Sequence, residues 1–347
     1  MALVCRTLEP AAEPAWDRFV RAHPDATFFH LAAWRHVIAR AFGHATQYSV
    51  AERDGAIVGV LPLGQVKTRL FGNALISVPF CVNGGPLAAD AEAGAALAAH
   101  AEALMRRLAV PVLELRFQRA PDWLDPADWP ARPDLYVSFR KGFSGDDAAN
   151  LKAVPRKQRA VIRKGIEAGL TSVIDEDADR LHGIYAESVR NLGTPVFARG
   201  YFRLLKQMFG AEADIVTILD GDTAIASVMN FYFRDQVLPY YGGGRAVARA
   251  LHGNDFMYWE VMRRAAARGL RLFDFGRSKL GTGAFAFKKN WGFAPEPMDY
   301  RFRLAPGATI PDVNPLNPKY RAFIAAWKRL PLPVAGAVGP LIVRGLG

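Results

Sequence analysis

Residues Ala213–Gly244 read ADIVTILDGDTAIASVMNFYFRDQVLPYYGGG. Apolar, β-branched and aromatic runs are cut at Asp220–Gly221 and Arg234–Asp235, which predicts a three-strand meander. NDFMYWEVMRRAAARG follows, a helix expected to be capped by Asn254 or Asp255 and ended by Gly269. RLFDFG then reads as a strand, and PMDYRFRL is expected to close the same sheet. Two helical patterns, DADRLHGIYAESVRNLG and RGYFRLLKQMFG, precede the meander.

The first half shows the same order. EPAWDRFVRAH and FFHLAAWRHVIARAFG place Trp16, Phe19 and Val20, then Leu31, Trp34, Val37, Ile38 and Phe42, at helical spacing, with Gly43 as a stop. A hairpin turns at Asp54–Gly55, ALISVPF continues the sheet, and EAGAALAAHAEALMRRLAV is a helix. VLELRF and LYVSFRKGF supply two more strands. A meander followed by a helix and a strand resembles the GNAT type of acyltransferase fold. The expected fold class is therefore α+β with mixed sheets, a tandem duplication of GNAT-like domains. The expected boundaries are 1–145 for the first domain, 146–175 for a basic helical connector packed on the second, 176–305 for the second domain, and 306–347 for a C-terminal extension.

With 347 residues, 51% of them hydrophobic and 22% charged, the chain is able to bury two ordinary cores. Its net charge of +11 tilts the choice of partner toward polyanions: nucleic acid, anionic lipid, or phosphate-bearing substrates. Cys5 and Cys81 lack metal-ligand spacing and make no disulfide framework, so a reducing compartment fits. No secretion signal or membrane span is read, and a cytoplasmic protein is expected. The tail LPLPVAGAVGPLIVRGLG is the stretch able to make peripheral contact with the inner membrane. Its prolines at 331, 333 and 340 argue against a crossing helix. His30, His36, His44 and His252 are scattered and no metal is expected; no Gly-x-Ser-x-Gly elbow occurs.

Between the halves, Lys152, Arg156, Lys157, Arg159, Arg163 and Lys164 come without an acidic residue among them. On a helix beginning near Pro155, Arg156, Arg159 and Arg163 share one face. That face is either a solvated basic helix or a surface for phosphate, tRNA backbone or lipid pyrophosphate. A second basic stretch, GRSKLGTGAFAFKKNWGF, follows RLFDF. Gly276 and Gly281 have the spacing of a nucleotide loop, but Thr282 and Gly283 stand where Lys and Ser or Thr are required. Arg277, Lys279, Lys288 and Lys289 remain as candidate anion-binding residues, with Trp291 beside them.

Together TFFHLAAWRHVIARAFGH, GAIVGVLPL, PRKQRAVIRKG, SVRNLGTPVF, LPYYGGG, NDFMYWEVMRRA, FDFGRSKLGTG and FKKNWGF resemble the FemAB family. Within it they look like the FemAB-like proteins that accompany exosortase/PEP-CTERM systems and exopolysaccharide clusters. The resemblance runs from about Phe28 to the NPLNPKY segment ending at Tyr320. It implies transfer of an acyl or aminoacyl group to an amine, from aminoacyl-tRNA or another acyl donor, onto a phosphate-bearing envelope or polysaccharide precursor. It also implies that a Phe-Lys pair places a cation beside the reacting carbonyl; the matching pair is Phe287–Lys288. No coiled-coil arm is present, and Arg35 and His36 follow Trp34 where the family's ligases carry a precursor-binding lysine.

Aminolysis passes through an oxyanion that a waiting cation stabilises, and Lys288 is the first candidate. Asp274 and Asp255 are candidate bases, set against readings as a partner of Arg277 and as a helix cap. Tyr240 and Tyr241, before the glycines at 242–244, are candidates to orient an acceptor or protonate a leaving group. RAVARALHGNDF offers only Gly253, without the Gly-x-Gly spacing that holds a pyrophosphate at a helix start, so acyl-CoA is the less expected donor. No tightly bound cofactor is expected. Two other readings stand beside the transferase: an anion- or polymer-binding module without catalysis, and an acetyl-CoA-dependent N-acyltransferase.

Overall fold

The computed structural model describes residues 3–69, 71–132, 136–311 and 320–347. In chain order the first elements are β1 (Leu3–Thr7), α1 (Glu13–Ala22), α2 (Ala33–Phe42), β2 (Ala45–Arg53), β3 (Ala56–Thr68), β4 (Gly72–Ser77), β5 (Leu87–Ala88), α3 (Ala91–Arg107) and β6 (Val112–Phe117). Then come β7 (Tyr136–Gly142), α4 (Asp147–Ala153), α5 (Arg156–Glu167), β8 (Thr171–Ile174), α6 (Asp179–Leu192) and α7 (Arg199–Phe209). The meander is β9 (Ala213–Asp220), β10 (Thr223–Phe233) and β11 (Gln236–Gly244), followed by α8 (Ala246–Ala250) and α9 (Gly253–Ala267). The chain continues through β12 (Leu272–Asp274), β13 (Ser278–Lys279), α10 (Gly283–Asn290), β14 (Pro295–Pro297), β15 (Asp299–Leu304), α11 (Arg321–Trp327) and α12 (Leu332–Val343).

These elements form two compact units. One comprises residues 1–135, 297–313 and 344–347; the other comprises 136–296 and 314–343. In the first, the sheet order is β1-β2-β3-β4-β6-β15, with β5 on β3. Asp54 and Gly55, at φ 54° and 79°, turn the β2–β3 hairpin in the left-handed region that an Asp-Gly pair tolerates best. β4 and β6 run parallel, joined through α3, whose start Asp90 caps by accepting from the Ala93 N–H at 2.9 Å. Leu97, Ala101 and Leu104 of α3 pack on Leu61, Leu63, Leu75 and Leu115 of the sheet.

The second unit repeats this plan in the order β13-β7-β12-β11-β10-β9-β8, with β14 beside β7. Here β11 and β12 are the parallel pair, and α9 is the connecting helix. Its core holds Phe139, Ile162, Val228, Val237, Met257, Phe273 and Trp291, all at most 1% exposed. Burial of so many large apolar side chains, at roughly 1.5–3 kcal/mol each, outweighs any local preference of the chain.

Two strands change places relative to the sequence expectation. β7, expected in the first domain, lies in the second sheet, where Val137 and Phe139 are buried. β15, expected to close the second sheet, instead pairs with β6 along its whole length, from Asp299↔Phe117 to Leu304↔Val112. Its alternate residues Tyr300 and Phe302 are buried, while Arg303 meets Glu102 and Asp128 at 3.3 and 2.9 Å. The boundaries drawn at 145/146 and 305/306 therefore cut across the sheets. The 146–175 connector contains α4, α5 and also β8, which pairs with β9, and lies wholly in the second unit. Within the C-terminal extension, α11 and α12 lie in the second unit and residues 344–347 in the first. Most of the NPLNPKY segment, residues 314–319, lies outside the described residues.

Candidate functional site

β11 and β12 pair only at Gln236↔Leu272 and Val237↔Phe273. Beyond that point β11 carries on to Gly244 along β10, while β12 stays with β7 through Asp274↔Arg140. The parallel strands thus part at Asp274, and the chain turns through Phe275 and Gly276, at φ 66°, into β13. Thr282 then caps α10 by accepting from the Phe285 N–H at 3.3 Å.

Lys288, in the last turn of α10, reaches back to this turn. Its Nζ donates to the carbonyls of Gly276 and Arg277, each at 3.0 Å, and lies 5.7 Å from the Phe139 ring centre. Burial pushes its pKa down to about 8, and the Asp274 charge resists that fall. An ammonium has three N–H donors, so one remains for an incoming oxygen.

Asp274 is buried, and its Oδ1 accepts from the Gly276 N–H at 2.7 Å. Its ion-pair partner is Arg140 at 3.6 Å, on the neighbouring strand, rather than the expected Arg277. Burial raises its pKa, opposed by Arg140 and by the Gly276 N–H. Arg277 and Lys279 flank the Tyr136 ring, at 4.4 and 5.2 Å from its centre. Lys141 sits 5.8 Å from the Phe293 ring centre and donates to the Ala153 carbonyl at 3.2 Å, with its pKa lowered by burial. The turn between β12 and β13 is accordingly bordered by Arg140, Arg277, Lys279 and Lys288, on strands and a helix held by one aromatic core, while Lys141 lies toward Ala153 and Gly292.

Other residues singled out in the sequence play structural parts. Trp291 is 0% exposed and donates to Asp255 Oδ1 at 2.9 Å, so it packs under the site rather than facing a substrate. Asp255 does not cap α9: His252 holds the cap position, and Asp255 also accepts from the Gln158 amide of α5. Its pKa is raised by burial, against the hydrogen bonds from Trp291 and Gln158. Tyr241 is buried among Tyr185, Phe197, Phe202 and Tyr240, with its hydroxyl 2.7 Å from that of Tyr201. Such a hydroxyl is a packing anchor and not a proton donor to a leaving group. Tyr240 is half-buried. Any Cβ on Gly243 would lie 2.6 Å from Ser188 Cβ, so this glycine admits helix α6 rather than a ligand.

On α5, Gln158, Ile162 and Gly165 face the core, while Arg156, Lys157 and Arg163 are exposed. Arg159 is turned away from them and donates to the carbonyls of Lys152 and Val154 at 3.1 and 3.2 Å, which occupies it at the end of α4. Pro155, at the start of α5, lies against Gly292 at the end of α10, where a Cβ would sit 2.9 Å from its Cδ. Arg156, Lys157 and Lys289 are all exposed, on helices whose start and end meet at Pro155 and Gly292. The histidines serve the fold: His30 bonds the Gly85 carbonyl at 2.9 Å, His36 meets Glu13 at 3.0 Å and His44 the Arg344 carbonyl at 2.7 Å. Among the described residues no cluster of three metal-ligating side chains occurs.

α8 is interposed between β11 and α9, and Gly253 at the start of α9 is buried against Ala248 and Ile225. The only glycine at the α9 start is thus packed against the chain itself. Residues 156–289 match the family model described as an acetyltransferase (GNAT) domain.

The matched residues lie wholly within the second unit.

The two-unit structure is similar to FemX, with a TM-score of 0.70 at 15% identity over 87% of this chain and 97% of that one. A tandem GNAT protein from the clavulanic acid biosynthesis pathway superposes with a TM-score of 0.56 at 16% identity, over 89% and 100% of the two chains. L-PGS from Bacillus licheniformis does so at 0.56 and 11% identity, over 99% and 98%. The fold is thus a tandem GNAT-like one. No curated protein matches the chain. Sequence reasoning missed Arg140 and Tyr136, because it places β7 in the other sheet; the cation within the VSFRK strand is the available signal.

Proposed function

We propose that this chain is an acyl- or aminoacyltransferase that forms an amide on an amine of a phosphate-bearing cell-envelope or exopolysaccharide precursor. The observation that carries this reading is the Lys288 ammonium, buried to a pKa of about 8 and fixed by two carbonyls at 3.0 Å where the parallel strands part. An amine attacking the donor's ester carbonyl forms the C–N bond; the C–O bond then breaks, and the amine proton leaves with the alcohol. The negative charge on the carbonyl oxygen between these events is what the third N–H of Lys288 meets, in a site that excludes bulk water. Asp274 acts through Lys288, favouring its charged form.

Aminoacyl-tRNA is the favoured donor, since the α9 start lacks the Gly-x-Gly spacing that cradles a coenzyme A pyrophosphate and its one glycine, Gly253, is packed against Ala248 and Ile225. Arg156, Lys157, Arg163 and Lys289 hold phosphate of the donor or the acceptor, at the mouth formed by α5 and α10. The motif resemblance to exosortase-associated proteins favours a polysaccharide-linked acceptor. The test is a donor screen of aminoacyl-tRNAs against acyl-CoAs with amine acceptors, run beside Lys288→Ala. Transfer from an aminoacyl-tRNA, reduced at least about tenfold in the variant, is the expected result. Salt-sensitive binding of nucleic acid with no transfer to any acceptor would replace the enzyme by a binding module.

A further inference from the structure

We infer that α12 is a docking surface for an anionic lipid bilayer. The helix has two opposed faces. Ala335, Gly339 and Val343, spaced four apart, are buried in the second unit. Gly339 lets the helix press on backbone, since a Cβ there would lie 2.9 Å from Val196 N and 3.0 Å from its carbonyl oxygen. The other face carries Val334, Ala337, Val338 and Leu341, all exposed, Leu341 at 76%. From Leu330 to Val343 the sequence offers no polar side chain at all. A helix face turned to water normally carries charged or polar residues, and a contiguous apolar one marks an interaction surface.

Charge identifies the occupant. No Asp or Glu occurs between Tyr320 and Gly347, and Lys328 and Arg329, both exposed, stand immediately before the helix. Arg190 holds this approach in place by donating to the Lys328 carbonyl at 3.1 Å. An apolar face beside a cationic rim is the complement of acyl chains under anionic headgroups. With 12 residues the helix is about 18 Å long, too short to cross a hydrocarbon core of about 30 Å. It lies on the membrane rather than through it, and among the described residues no helix is long and apolar enough to span. This inference stands independently of the acyl-transfer reading.

The test is cosedimentation of the full chain with vesicles of phosphatidylglycerol and phosphatidylcholine, and with phosphatidylcholine alone. The wild-type chain should bind the anionic vesicles, less so at high salt. Val338→Glu with Leu341→Glu should weaken binding at least about tenfold without lowering the melting temperature, since both side chains already face solvent. Lys328→Glu with Arg329→Glu should remove the preference for anionic vesicles. Lys288→Met should bind as wild type; loss of binding in that variant would assign the lipid to the acyl-transfer site and overturn the inference. Undiminished binding in the double glutamate variant also overturns it. So does a wild-type dimer that this variant makes monomeric, with no vesicle binding by either.

Discussion

At Lys288, activity and stability are expected to run in opposite directions with pH. The ammonium is the form that meets an oxyanion, and with a pKa of about 8 it is lost as pH rises through that value. Turnover should therefore fall on the alkaline side, and kcat/KM measured from pH 6 to 9.5 should show a limb near 8. The sign for folding is the reverse. The unfolded chain holds this proton up to the ordinary value of 10.5, so between about 8 and 10.5 the unfolded state binds more protons and stability rises with pH. Lys288→Met should keep the fold, lose at least about tenfold in turnover, and flatten the alkaline limb. A limb that persists in Lys288→Met belongs to another group. Asp274→Asn removes the charge that favours the ammonium, so in that variant the same limb should move to lower pH.

Three elements around this site are tied by one carboxylate, and that tie was not legible from local sequence. Asp255 of α9 accepts from Gln158 of α5 and from Trp291 at the end of α10. A window around Asn254–Asp255 suggests a helix cap, because the partner on α5 is far away in the chain. Asp255→Ala leaves a buried indole N–H and an amide without an acceptor, a loss of about 1–3 kcal/mol. It should be read as a lower denaturant midpoint with an unchanged slope. Since burial raises the pKa of Asp255, its protonation as pH falls favours the folded state, and this group does not drive acid unfolding. What the sequence did show were features with short-range causes: the Asp54–Gly55 hairpin, the meander, α5 beginning after Pro155, and α10 carrying Phe287–Lys288. The assignment of Arg159 to the anion-binding face failed for the opposite reason. Helical spacing places it with Arg156 and Arg163, but carbonyls left open at the end of α4 draw it back. Reversing Arg156, Lys157 and Arg163 to Glu should weaken binding of a tRNA or other polyanion and reduce its salt slope by about 3, measured by titration at several ionic strengths. Arg159→Ala should act mainly on stability.

For the molecule as a whole, the exchange of β7 and β15 between the sheets is the feature that periodicity cannot reveal. Both strands alternate correctly, and alternation says which face is buried, not which sheet is joined. What decides is the partner edge. β6, Val112–Phe117, is an apolar strand with β4 on one side, and β15 covers its other edge with six consecutive residue pairs. A cut at residue 145, where a linear duplication would place it, strips β15 from the first sheet and carries β7 away from the second. An open, apolar edge of that length is a template for pairing with another chain. The fragment 1–135 should therefore self-associate or remain molten in light scattering and near-ultraviolet circular dichroism. The same fragment with residues 297–311 joined through a flexible linker should be monomeric, because Tyr300 and Phe302 again fill the core and Arg303 again meets Glu102 and Asp128. If the shorter fragment is monomeric and cooperatively folded without β15, the first unit closes by itself and the strand exchange contributes nothing to its stability.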